Sequence, residues 1–112
     1  MWRDDAYVLD MLLAASKIQR YCQGVAWDEF ELQEVLQDAV LRLIQIIGEA
    51  AWKLSPEYRG LHPEIPWQEI IGMRHRLVHE YFHIDLERVW DVVQKDIPEL
   101  ITQLNPLVPT ES

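Results

Sequence analysis

Residues 29–54 read EFELQEVLQDAVLRLIQIIGEAAWKL, and their spacing decides the class of fold. Leu32, Val35, Leu36, Ala39, Val40, Leu43, Ile46, Ile47, Ala50, Ala51 and Leu54 recur with the period of an α-helix. The spacing predicts one helix from Glu29 to Leu54, with Asp28 as its N-cap and Ser55-Pro56 as its stop. Its apolar face is wider than a single stripe. Such a helix is central in a bundle, or faces both its own core and a second chain. Gly48 stands inside it, where glycine costs about 1 kcal/mol relative to alanine. The usual compensation is close approach of another backbone.

Helical periods flank this stretch on both sides. Upstream, Val8, Met11, Leu12, Ala15, Ile18 and Cys22 form a core stripe on a helix that Asp4 or Asp5 caps and Gly24 stops. Its acids at the start and Lys17 and Arg20 near the end suit the helix dipole. Downstream, residues 56–66 hold Pro56, Pro63, Pro66 and Gly60 and read as an ordered loop. Pro66 suits the first position of a further helix through Trp67, Ile70, Ile71, Met73, Leu77 and Val78. Asp85 reads as the N-cap of a last helix carrying Leu86, Val89, Trp90, Val93, Ile97, Leu100, Ile101 and Leu104. Pro98 should kink or restart it, and 106–112 reads as a frayed tail. The expectation is a single all-α domain over 1–112, a four- to five-helix up-and-down bundle. Trp27, Trp52, Trp67 and Trp90 read as core or interface aromatics before they read as base-stacking platforms.

Composition narrows the function classes. At 112 residues, 49% of them apolar, the chain is long enough for one core and too apolar for a disordered segment. Cys22 is the single cysteine, so an internal disulfide and a thiolate zinc cluster are both excluded. The Met-Trp-Arg-Asp-Asp-Ala start lacks the basic region of a signal peptide. No apolar run approaches the roughly 20 residues that cross a bilayer. The expected location is cytoplasmic, away from membranes. The net charge of −9 argues against a general nucleic-acid binder, whose affinity comes from many Lys and Arg on phosphates. A local basic site acting on RNA is compatible with it, and the surrounding negative field would make that site selective.

The chemistry concentrates in residues 73–83, MRHRLVHEYFH. His79-Glu80-Tyr81-Phe82-His83 is a literal H-E-x-x-H, which binds zinc when a continuous helix puts both imidazoles on one face. Here the apolar helical pattern is running out and Asp85 caps the next helix, so the motif straddles a helix end. His62 and His75 are further histidines, at no recognised zincin spacing. No metal and no cofactor is therefore expected. The second reading is Arg74, His79 and Tyr81 as R-x-x-x-x-H-x-Y. On an ideal helix Arg74 and His79 would lie about 140° apart and about 7.5 Å along the axis, whereas His75 and His79 would share a face. An arginine can hold a phosphate, and a histidine can remove or return the proton of a 2′-hydroxyl or a leaving oxygen. By spacing alone a solvated helix end with surface histidines is the favoured reading.

Pro66-Trp67-Gln68-Glu69-Ile70-Ile71-Gly72-Met73-Arg74, with Leu77-Val78-His79 and Tyr81, closely resembles the signature of HepT-like toxins of the HEPN superfamily. Residues 37–42, 46–51, 85–90 and 96–100 are similar to the same family's other helices. The resemblance implies a small all-α HEPN fold and a homodimer whose ribonuclease site forms where two motifs meet. It implies a metal-independent endoribonuclease, the toxin of a type II toxin–antitoxin pair. The partner would be an MntA-like minimal nucleotidyltransferase antitoxin that neutralises the toxin by adenylylating a tyrosine. Carried over, Arg74 binds phosphate, His79 is the general acid/base and Tyr81 receives AMP. The residue after the motif arginine is usually asparagine, and here it is His75, which leaves three alternatives: it positions the phosphate, shares proton transfer with His79, or reflects weaker cleavage. Glu49 is a candidate to orient Arg74, and Arg76, His83 and Arg88 are candidates to extend the RNA-facing surface. The alternative is a HEPN scaffold without catalysis that binds a nucleotide or a protein.

Overall fold

The computed structural model describes residues 2–80 and 83–109, and gives the backbone alone for Trp2, His79 and Glu80. Two long helices make its frame: α1 (Trp2–Tyr21) and α3 (Glu34–Lys53). They pack along each other and bury Val8, Met11, Ala15 and Ile18 of α1 against Val40, Ile44, Ile47 and Ala51 of α3. The C-terminal layer, α7 (Leu86–Asp91), a π-helical turn (Val92–Asp96) and α8 (Ile97–Leu104), closes the core on α1 with Val89, Ile97, Leu100 and Leu104. The architecture is all-α, with one two-stranded ribbon. Gly24 ends the α1 turn at φ 73°, a left-handed conformation that suits glycine.

Several expected boundaries are corrected. The predicted helix over 29–54 is broken: α2 (Trp27–Phe30) stops, and α3 begins only at Glu34. The cause is Gln37, a buried amide whose Nε2 donates to the Phe30 carbonyl at 2.8 Å and the Glu31 carbonyl at 3.1 Å. It satisfies the carbonyls that a continuing helix would have used. Leu32 and Val35, expected in the core, are 82% and 84% exposed. Asp28 falls in the first turn of α2 rather than at its cap, and the Glu29 carboxylate reaches back to the Ala26 N–H. Phe30 is fully buried and stacks at 4.8 Å on Trp90, tying α2 to α7.

Asp4 is not a cap either. It is buried within α1, and its carboxylate accepts from the Ser55 N–H and hydroxyl, both at 2.8 Å. Ser55 in turn caps α4 (Pro56–Leu61), a helix inside the segment expected to be a loop. Ser-Pro here starts a helix as well as stopping one. The expected helix from Pro66 is split at Gly72 into α5 (Trp67–Ile71) and α6 (Met73–Leu77). The last helix restarts at Pro98, as expected, through the wide π turn that precedes it. Asp85 caps α7, accepting from the Arg88 N–H at 3.2 Å. Leu107 and Val108, expected in a frayed tail, pack half-buried on the core.

Candidate functional site

Gly48 explains where the site forms. A Cβ at this position would lie 3.2 Å from the Ile70 carbonyl oxygen and 3.3 Å from that of Ile71. The missing side chain lets the backbone at the end of α5 lie directly on α3, the compensation expected of a glycine in mid-helix. Trp67 holds the other end of α5: buried, its indole N–H donates to the Arg59 and His62 carbonyls at 3.1 and 3.0 Å. With α5 fixed at both ends, α6 emerges beside the last turns of α3.

α6 ends at Leu77, and the chain turns into an antiparallel ribbon of β1 (Val78–Glu80) and β2 (His83–Ile84), with Val78 opposite Ile84. The Asp85 N–H donates to the Leu77 carbonyl at 2.9 Å and closes the ribbon's base. This corrects the ideal-helix geometry for the motif. His79 follows the helix rather than continuing it, so His75 and His79 do not share a helical face. His79 and His83 sit on opposite strands, and the continuous helix that an H-E-x-x-H zinc site requires is absent. The His79 side chain and the whole of Tyr81 lie outside the described residues.

Arg74 and His75 are both exposed, and both open onto one concavity of about 510 Å³ between α3 and α6. Gln45, Gly48, Glu49, Trp52 and Lys53 of α3 form one wall, and Ile71 and Val78 complete the other. Among the described residues the side chains of Arg74 and His75 make no hydrogen bond or ion pair, so their donors are available to a ligand. Glu49, considered as the group that orients Arg74, instead accepts from Gln45 Nε2 at 2.9 Å. Lys53 Nζ stands 5.9 Å from the centroid of the Tyr7 ring, a cation–π distance that steadies its ammonium. Among the described residues the concavity thus gathers two permanent cations and an imidazole around one carboxylate, in a chain of net charge −9.

Arg76 points elsewhere. Its guanidinium donates to the Glu69 carbonyl at 2.6 Å, and it lines a second groove with Arg88, Asp91 and Asp96. There, burial and then Glu99 and Glu69 raise the Asp96 carboxyl above its ordinary range, while Arg76 opposes them. Arg88 pairs with Asp85 at 3.6 Å, and His83 is exposed on β2. His62 lies at the end of α4, 3.7 Å from Glu64. The motif's two arginines therefore serve different surfaces. Sequence reasoning missed Gln45 and Lys53 and read Trp52 as core or interface ahead of a base-stacking platform. The available signal was their one-turn spacing along α3 around Gly48 and Glu49.

The model of the ribonuclease HepT-like family matches residues 11–107, which take in the second half of α1, the whole of α3 and residues 73–83. The chain belongs to the HepT-like ribonuclease family. It is 37% identical over 94 residues to "Probable ribonuclease HepT" of Thermococcus cleftensis, covering 84% of this chain and 86% of that one. It is 39% identical over 89 residues to "Putative RNase TTE0752" of Caldanaerobacter subterraneus subsp. tengcongensis, covering 80% of each. A third relative, "Putative RNase MJ1380" of Methanocaldococcus jannaschii, is 33% identical over 95 residues, 85% of this chain and 87% of that one. No solved structure matches. The matched range includes Arg74 on α6 and His79 on β1, on either side of the helix-to-ribbon junction. Among the described residues no helix is long and apolar enough to cross a membrane.

Proposed function

We propose that the protein is a metal-independent endoribonuclease that acts as a homodimer, with Arg74 holding the scissile phosphate and His79 transferring protons. The observation that carries this reading is the shared concavity of Arg74 and His75 at the helix end that leads directly into His79. Membership of the HepT-like ribonuclease family and the names of its relatives support it. In the reaction, a histidine removes the proton of a 2′-hydroxyl, and the freed oxygen bonds to the adjacent phosphorus. The bond from phosphorus to the 5′-oxygen breaks, and that oxygen is protonated by a second acid. One histidine cannot be base and acid at the same instant. A second copy of the motif across the cleft supplies the other, or His75 does. Arg74 neutralises the charge that grows on the phosphoryl oxygens. Leu32, just before α3, and Val35, in its first turn, stay exposed, which fits a chain that covers them with another.

The same reading makes Tyr81 the site of control. An MntA-like nucleotidyltransferase antitoxin would catalyse attack of the Tyr81 oxygen on the α-phosphorus of ATP, with pyrophosphate leaving. The AMP formed there adds bulk and negative charge beside the phosphate site. RNA is the substrate, and the site is cytoplasmic.

Purified protein is expected to cleave RNA in the presence of a chelator. His79→Ala should abolish cleavage while preserving the helical circular dichroism and the oligomeric mass. Equal activity in His79→Ala, or complete loss on chelation alone, overturns the reading. Co-expression with the antitoxin should raise the intact mass by whole AMP units, and Tyr81→Phe should prevent it. The second reading, a binding scaffold without catalysis, is favoured by His75 standing where the family usually has asparagine. It gains the ground if unmodified protein binds nucleotide or a protein partner but leaves RNA intact.

A further inference from the structure

Trp52 lines the same concavity as Arg74 and His75, and 67% of it is exposed. The other described tryptophans are committed elsewhere. Trp67 is buried with its N–H bonded, and Trp27 and Trp90 pack half-buried around Phe30. A bare indole on a helix surface exposes apolar area that a polar residue would not. Its neighbours distinguish it from the exposed Leu32 and Val35. Those lie beside Glu31 and Glu34, whereas Trp52 has Lys53, Arg74 and His75 around it. The single carboxylate of the wall, Glu49, is already engaged by Gln45. An aromatic face beside cations is the chemistry of a nucleotide subsite, in which a base stacks and its phosphate meets the positive groups. A volume of about 510 Å³ is within the usual range for a small-ligand pocket.

We infer that Trp52 is a stacking platform for an unpaired RNA base next to the phosphate that Arg74 holds. This inference rests on the ribonuclease reading and makes Trp52 a positioning residue for that reaction. An indole can receive a base only when that base is out of a duplex stack, so the platform selects single-stranded positions. Every base has a π-face, so the selection is for unpaired geometry more than for base identity.

The test uses full-length protein carrying His79→Ala, so that RNA stays intact. It binds two end-labelled oligoribonucleotides of one length, one normal and one abasic at the central position, followed by fluorescence anisotropy. Trp52→Ala is expected to weaken the normal oligomer about five- to hundredfold, the usual worth of one base–aromatic stack. It should leave the abasic oligomer unchanged, and Trp52→Phe should retain most of the affinity. In the cleaving protein Trp52→Ala should raise KM more than it lowers kcat. Equal losses on both oligomers, no loss on either, or no RNA binding by the parent protein overturns the inference. So does a fall in oligomeric mass by light scattering in Trp52→Ala, which would assign the indole to a contact between copies. Cleavage that depends on His79 but not on Trp52 sinks this inference and leaves the ribonuclease reading standing. Base-dependent binding without cleavage does the reverse.

Discussion

Replacing Gly48 with alanine sets helix propensity against packing. In a free helix the change is favourable by about 1 kcal/mol. In this fold the new Cβ would sit 3.2 and 3.3 Å from the Ile70 and Ile71 carbonyl oxygens, where ordinary contact starts at 3.4 Å. Both atoms are backbone, so no rotamer change relieves the contact. The segment itself must move, and it is held by buried Ile70 and by buried Trp67 with its bifurcated indole bond. Overpacking of this kind costs about 1–3 kcal/mol, which exceeds the propensity gain at most of its range. The expected net loss is about 1 kcal/mol, or a fall in Tm of about 4 °C for a domain of this size. Because α6 follows α5 without a loop, the displacement reaches Arg74 and His75, and RNA cleavage should fall with stability. Thermal circular dichroism and urea unfolding measure the first effect, and initial cleavage rates well below the Tm measure the second. A Tm raised by about 4 °C would mean that propensity wins and that the α5 carbonyls are not held against Gly48.

Three further outcomes are expected. Asp4→Ala should destabilise by about 2–3 kcal/mol in guanidinium chloride, because it removes two charge-assisted bonds and strands the Ser55 N–H; a loss below about 0.5 kcal/mol would deny Asp4 its tethering role. Asp96 has a carboxyl pushed up by burial, then by Glu99 and Glu69, so the native state binds its proton more tightly than the unfolded state does. Stability should therefore fall as pH rises from the ordinary carboxylate range through the raised folded value, and Asp96→Asn should flatten that slope in urea midpoints taken across it; an unchanged slope would refute this. Leu32→Ser should change stability by no more than about 0.5 kcal/mol in the isolated chain, because Leu32 is 82% exposed, and a core-sized loss there would restore the unbroken helix.

What could be read in advance follows from how far each signal reaches along the chain. The stripes of α1, α3 and α8 were legible because period is a local property and their residues face one core. The same rule failed at Leu32 and Val35. They keep the period, yet Gln37 has already closed the preceding turn, so nothing lies beneath them. Period counts positions and cannot see whether a neighbour is there. Ser55-Pro56 was ambiguous for a different reason: only Asp4, far away in the chain, decides that the serine caps a new helix. The ribbon was too short for alternation to register, although the end of the helical pattern before His79 was visible. The site divides along the same line. Arg74 and His75, which line the concavity, could be named in advance because a motif is local. Lys53 and the exposed Trp52 were not, because they join the site only through contact of α3 with α5 and α6. That contact did leave a trace, the unfavourable glycine at position 48. A glycine inside a helix that otherwise favours its own continuation reports that another backbone is present. The residues one turn further along the same face, Trp52 above all, then become candidates for whatever that backbone brings with it.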